Sequence, residues 1–158
     1  IDDKKLQEER KPEFRKQLAA VVEQYLNVQT ALTEDNVGAA GTAAEKGLST
    51  LKKVNMALLT GEDHVAWMAH QKELASLLKD IGAAEKIASA RAKFARLSEE
   101  LIAVLKLFGV AQGKLYKAKC PMAFGGRGAV WIQQGVEINN PYFGEAMLRC
   151  GDVEEVLK

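Results

Sequence analysis

Both cysteines of the chain, and two of its four methionines, fall in two short pieces, Cys120-Pro121-Met122 and Met147-Leu148-Arg149-Cys150. Thiolate and thioether sulfur are soft donors, and together they suit Cu(I) or Ag(I) better than a hard cation. Cys120 and Met122 stand two apart across a proline. Met147 and Cys150 stand three apart, which puts both on one face of a short helix. Cys120, Met122, Met147 and Cys150 are therefore a candidate metal-ligand set. Two other roles compete for the same residues. A disulfide from Cys120 to Cys150 would close a loop of about thirty residues, which the chain-entropy account credits with roughly 3–4 kcal/mol. Simple packing is the third, because methionine and reduced cysteine are common in cores. Residue types leave all three open.

Other chemistry is thinner. His64 and Met68 are four apart and share a helix face, so they form a weaker additional pair of ligands; a histidine near a helix start more often caps or faces solvent. No Cys-x-x-Cys and no His-Glu-x-x-His is present, so a zinc site lacks its usual donors. Gly125-Gly126-Arg127-Gly128 offers backbone amides that could cradle an anion, yet it matches no phosphate-loop pattern and reads better as a hairpin turn. Ser49, Ser76, Ser89 and Ser98 all fall within helical stretches with no histidine beside them. No nucleophile–base pair is apparent, and the chain is not expected to be an enzyme.

The sulfur-bearing pieces need a scaffold, and the preceding hundred or so residues read as one. From Pro12, Phe14, Leu18, Val21, Tyr25, Val28 and Leu32 follow helical spacings to about Thr33. Thr33 to Asn36 is cap-like and opens a second helix, whose inward face is Val37, Ala40, Ala44, Leu48, Leu51, Val54 and Leu58. A third spans His64 to Lys79, with Trp67, His70 or Gln71, Leu74, Leu77 and Leu78 inward. The fourth has the cleanest period, through Ile87, Ala90, Phe94, Leu97, Leu101, Val104 and Phe108, and Gly109 ends it. Short connections favour antiparallel neighbours, hence a mainly α fold, an up-and-down four-helix bundle. After Gly109 the period is lost. Residues 114–118 and 129–133 read as two strands of a short β-hairpin, and Asn139-Asn140-Pro141 turns into a short helix carrying Phe143, Met147 and Leu148. Asp152 to Lys158 reads as a last helical turn or a tail. Tyr116, Trp131, Tyr142 and Phe143 supply the aromatic core of this cap, or else a recognition surface. The expected organisation is a single domain over 1–158: a linker or frayed helix start over 1–11, the bundle over 12–109, and the Cys/Met cap over 110–158.

Bulk composition narrows the partners. With 47% hydrophobic and 27% charged residues the chain has ordinary globular content. A formal charge of +1, with acidic and basic residues interleaved, gives no pull toward nucleic acid or anionic lipid. No apolar run is long enough to cross a membrane; Leu101 to Val110 is broken by Lys106. The chain opens on Ile1 with neither an initiator methionine nor a signal sequence, as expected of a mature or excised piece.

One pattern is longer than any of these motifs. It runs Tyr116-x3-Cys120-Pro121-Met122-Ala123, then Gly128-Ala129-x-Trp131-Ile132-Gln133, then Asn140-Pro141-Tyr142-Phe143-Gly144-x2-Met147-Leu148-x-Cys150-Gly151. It resembles a bacterial domain of unknown function, found alone as an exported protein and at the C-terminal end of periplasmic adaptor (membrane fusion) subunits of CusB-type heavy-metal efflux systems. Arg91-x2-Phe94-x2-Leu97-Ser98 is similar to that family's last long helix. Ile132 follows the tryptophan where the family usually has leucine. The resemblance implies a periplasmic or envelope location and work beside copper or silver efflux. It further implies contact with other parts of an adaptor or efflux complex. An oxidising compartment would favour the disulfide, and a metal-efflux setting would favour metal ligation by the same two cysteines.

Overall fold

The computed structural model describes residues 3–111 and 113–158, with side chains from residue 9 onward. Four long helices come first: α1 Asp3–Thr33, α2 Val37–Lys52, α3 Gly61–Ala83 and α4 Ile87–Phe108. They form the expected up-and-down bundle, α1 packing on α2, α2 on α3 and α3 on α4. The inward residues of α1 are all buried: Phe14, Leu18, Val21, Tyr25, Val28 and Leu32. So are Ala90, Phe94, Leu97, Leu101, Val104 and Phe108 of α4. A stripe at helical spacing has only one way to leave water, which is against the matching stripes of its neighbours.

Three helices differ from expectation in their bounds. α1 is helical from Asp3, so Pro12 lies inside it rather than in its first turn, and of the two expectations for 1–11, linker or helix start, residues 3–11 follow the helical one. Residues 1 and 2 fall outside the described residues. α2 does begin at the expected cap, with the Asn36 side chain accepting from Ala39 N at 2.9 Å. It stops at Lys52, and a 3₁₀ turn over Met56–Leu58 follows. That break resets the phase, so Leu59 is buried where Leu58 was expected. α3 is longer than expected at both ends, starting at Gly61 and running to Ala83.

The small residues of α2 let it approach α3 closely. A Cβ on Gly41 would stand 3.4 Å from the Gly82 carbonyl oxygen, and one on Gly47 would stand 3.3 Å from Leu78 Cδ2.

The cap is a three-stranded antiparallel sheet: β1 Leu115–Cys120, β2 Ala129–Gln133 and β3 Asp152–Leu157, in the order β2-β1-β3. The hairpin of β1 and β2 was expected. The third strand replaces the helical turn or tail expected after Gly151. Its register against β1 shifts between Lys117 and Ala118. Val153, Glu155 and Leu157 alternate toward the protein, and the charge of Glu155 is met by Lys106 at 2.8 Å and Lys117 at 3.6 Å. An acidic residue at an inward position hid the strand's period. Between β1 and β2 the chain makes a tight turn over Ala123–Gly126, with Phe124 and Gly125 left-handed. The expected short helix after Pro141 is a 3₁₀ turn, Gly144–Met147.

Candidate functional site

The two cysteines do come together. Cys120 ends β1, the central strand, and is fully buried. Cys150 lies just before β3 and is half-buried. Both are free thiols, with sulfurs 3.9 Å apart. That spacing is a thiol–thiol hydrogen-bond contact, and it leaves the two sulfurs close enough to converge on one soft ion. It is also about 2 Å longer than a disulfide bond. Partial burial, then the neighbouring Cys120 sulfur, pushes the Cys150 thiol up from its ordinary pKa. Cys150 is therefore held toward its protonated form.

Met122 and Met147, close to the cysteines in sequence, both lie at the surface. Met122 is 56% exposed and Met147 is 37% exposed. Met147 ends the 3₁₀ turn, and its carbonyl accepts from Cys150 N at 3.1 Å. Among the described residues no three of His, Cys, Asp and Glu converge as a metal cluster.

His64 and Met68 are not part of this arrangement. They flank Trp67 in the first turns of α3, where Trp67 packs against Phe14 at 5.0 Å and Phe108 at 6.2 Å. Phe108 is the last residue of α4. The cysteine end of the cap lies by the first turns of α4, where Ala123, Phe124 and Tyr142 share a cleft of about 200 Å³ with Ile87 and Arg91. From Arg91 to Phe108 is roughly 25 Å along the helix at 1.5 Å per residue.

What holds the cysteine end in place is a set of buried polar side chains, and most belong to the long sequence pattern. Asn140 is fully buried. Its Nδ2 donates to the Cys150 carbonyl at 2.7 Å, and its Oδ1 accepts from Tyr142 N at 2.8 Å and Phe143 N at 3.3 Å. Its backbone N–H reaches the Leu148 carbonyl at 2.8 Å. One asparagine thus closes the whole 140–150 loop and fixes the carbonyl of Cys150. Gln133, also buried, does the same for the preceding loop. It accepts from Trp131 Nε1 at 2.9 Å and donates to the carbonyls of Gly135 and Glu137 at 2.6 and 2.7 Å. Tyr142 donates to the Val130 carbonyl and packs edge-on to Trp131 at 5.9 Å. Burial raises the Tyr142 pKa well above the ordinary phenol value, so it remains a neutral donor.

Three further contacts dock this cap on the bundle. The Tyr25 hydroxyl is 2.6 Å from Ser98 Oγ and accepts from Ile132 N at 2.9 Å, joining α1, α4 and β2. Gln29 donates to the Asn139 carbonyl at 2.8 Å. Arg91 donates to the carbonyls of Pro141 and Leu32 at 2.7 and 2.9 Å and to Asp35 Oδ1 at 2.7 Å. Asp35 also accepts from Glu145 N at 3.2 Å, and the Arg91 guanidinium holds its carboxyl below the usual carboxylate range. Gly144, at φ +58, makes room for this contact: a Cβ there would lie 2.2 Å from Asp35 Oδ1. Gly151, at φ +129, lets the chain pass Lys119, whose carbonyl oxygen would stand 2.6 Å from a Cβ.

Sequence reasoning found the cysteines but missed these supports. Asn140 had been a turn residue and Ser98 an ordinary helix serine. Gln133, a polar residue closing the apolar run Ala129 to Ile132, was the available signal.

The comparisons with known proteins are few. No curated protein and no solved structure matches the chain. One family model, described as a protein of unknown function (DUF3347), matches residues 21–113. That stretch covers α1 from Val21 through α4 and stops before the sheet. The match spans more than half of the sequence, and the chain belongs to the DUF3347 family.

Proposed function

We propose that this domain is a non-enzymatic accessory module that takes one soft cation, Cu(I) or Ag(I), between Cys120 and Cys150. Met122 and Met147 are the thioethers close to them in sequence. The observation that carries this is the 3.9 Å separation of two free thiols, one fully buried and one half-buried. Soft sulfur donors alone would reject magnesium, calcium and other hard ions, which need oxygen. On binding, the ion would displace the thiol protons, so uptake would release protons and strengthen as pH rises. The role of the protein is to hold Cys150 opposite Cys120, through Asn140 and the loop that Asn140 closes.

The cellular part of this proposal rests on the resemblance of the 116–151 pattern to the domain appended to heavy-metal efflux adaptors. That resemblance supports a periplasmic or envelope setting, against other parts of an adaptor or efflux complex. No described helix is long and apolar enough to cross a membrane.

The closeness of the two sulfurs also admits a second reading, a structural Cys120–Cys150 disulfide in an interaction module that binds no metal. Titration of fully reduced protein with Cu(I) against a competing chelator separates them. The metal proposal expects one tightly held equivalent, lost in a Cys120→Ser, Cys150→Ser variant. Equal affinity in the two proteins would overturn it.

A further inference from the structure

The metal and disulfide roles are usually alternatives, yet the cap is built so that one pair of cysteines can serve both in turn. The two sulfurs differ in how they are held. Cys120 belongs to β1, which is paired on both sides, to β2 through Cys120↔Ala129 and to β3 through Lys119↔Asp152. It is fully buried and fixed by the sheet. Cys150 sits in the corner between the 3₁₀ turn and β3, half-buried, and is tied by its backbone to Met147 and Asn140. Closing 3.9 Å to a bond is a movement of about 2 Å, and it falls on the Cys150 side, where there is loop rather than sheet.

We propose that Cys120 and Cys150 form a redox gate on the soft-metal site: the dithiol binds the ion, and the Cys120–Cys150 disulfide excludes it. This rests on the metal reading above and adds its regulation. The difference in exposure orders the exchange. A small-molecule disulfide such as oxidised glutathione meets the partly exposed Cys150 first. The Cys150 sulfur bonds to one glutathione sulfur, the other glutathione leaves as a thiolate, and it takes up the proton that Cys150 gave up. The buried Cys120 sulfur then attacks Cys150 in the mixed disulfide. The second glutathione leaves and takes the Cys120 proton. The protein dithiol has lost two electrons and two protons, and one glutathione disulfide has become two thiols. Both metal-binding sulfurs are consumed, so oxidation and metal occupancy exclude each other. A bound ion in turn protects the pair, because neither sulfur is then free to attack.

The test uses the described chain, Ag(I) as a redox-inert probe and a series of oxidised-to-reduced glutathione ratios. Metal-free protein should pass from two free thiols to none, with no stable glutathione adduct. Cys120→Ser should instead retain a glutathione adduct on Cys150. Protein loaded with one Ag(I) should resist oxidation at ratios that fully oxidise the metal-free form. The oxidised protein should lose at least a hundredfold in Ag(I) affinity and regain it on reduction. Tight Ag(I) binding by the reduced protein without an intramolecular disulfide, or with affinity unchanged by it, would overturn the gate alone. A reduced wild-type protein that binds Ag(I) no better than Cys120→Ser, Cys150→Ser would overturn the metal reading itself, and the gate with it.

Discussion

Replacing Asn140 by alanine is the sharpest test of how the cap is held. Asn140 is fully buried, and its carboxamide serves three backbone groups. Truncation strips the Cys150 carbonyl and the Tyr142 N–H of short partners, and the Phe143 N–H of a longer one at 3.3 Å. A buried backbone group left without a partner costs about 1–3 kcal/mol, so the two short bonds together set an expected loss of about 3 kcal/mol. That is a large fraction of the roughly 5–15 kcal/mol that keeps a domain folded, but not all of it. Urea unfolding followed by far-UV circular dichroism measures it. With a slope of about 2 kcal/mol per molar, the midpoint should fall by roughly 1.5 M at unchanged slope. Asn140→Asp separates the two ends of the side chain. It keeps the acceptor for Tyr142 and Phe143 but turns an anionic oxygen toward the Cys150 carbonyl, so at neutral pH it should be no more stable than the alanine variant. A loss below about 0.5 kcal/mol for Asn140→Ala would refute the view that this side chain closes the loop carrying Cys150.

Other outcomes follow from the docking contacts. Tyr25→Phe should cost about 1–3 kcal/mol by orphaning Ile132 N and Ser98 Oγ, and a double-mutant cycle with Ser98→Ala should show coupling of about 1 kcal/mol in urea melts. Gly144→Ala should destabilise by at least about 2 kcal/mol, since it adds a left-handed penalty to a clash with Asp35, and amide exchange should quicken in 139–150 before the bundle. Asp35 has a folded pKa below its unfolded one, so its contribution is present above the ordinary carboxylate range and lost as pH falls through the lowered value. Asp35 is left-handed at φ +57, which asparagine also tolerates, so the deficit of Asp35→Asn against wild type should be visible at pH 7 and shrink in acid melts below about pH 4.

Much of the scaffold was legible because its signal is repetitive. Each inward residue of α4 from Ala90 to Phe108 restates the same 3.6-residue period, so one misplaced residue cannot hide the helix. Single events were harder to read. Pro12 looked like a helix start because proline is favoured there, yet α1 continues on both sides of it. β3 was missed because Glu154 and Glu155 fill its centre, and only the tertiary contacts of Glu155 with Lys106 and Lys117 make an inward acid acceptable. The site was half legible. Residue chemistry marked Cys120 and Cys150, whose meeting depends on β1 and β3 lying side by side. It also suggested His64 and Met68, and nothing local in sequence could show that they sit at the far end of α4. The polar supports were least legible, since Asn140, Gln133 and Arg91 act on groups that only the fold brings near. The long pattern over 116–151 is, in large part, the list of residues that hold the cap shut.

The central claim is that Cys120 and Cys150 hold one soft ion between them. X-ray absorption at the copper edge on reduced protein loaded with one equivalent of Cu(I) tests it most directly. Sulfur-only coordination is predicted, lost in Cys120→Ser, Cys150→Ser and reduced in sulfur number by Met122→Leu, Met147→Leu. A spectrum dominated by nitrogen or oxygen, or one unchanged when both cysteines are replaced, would contradict the account.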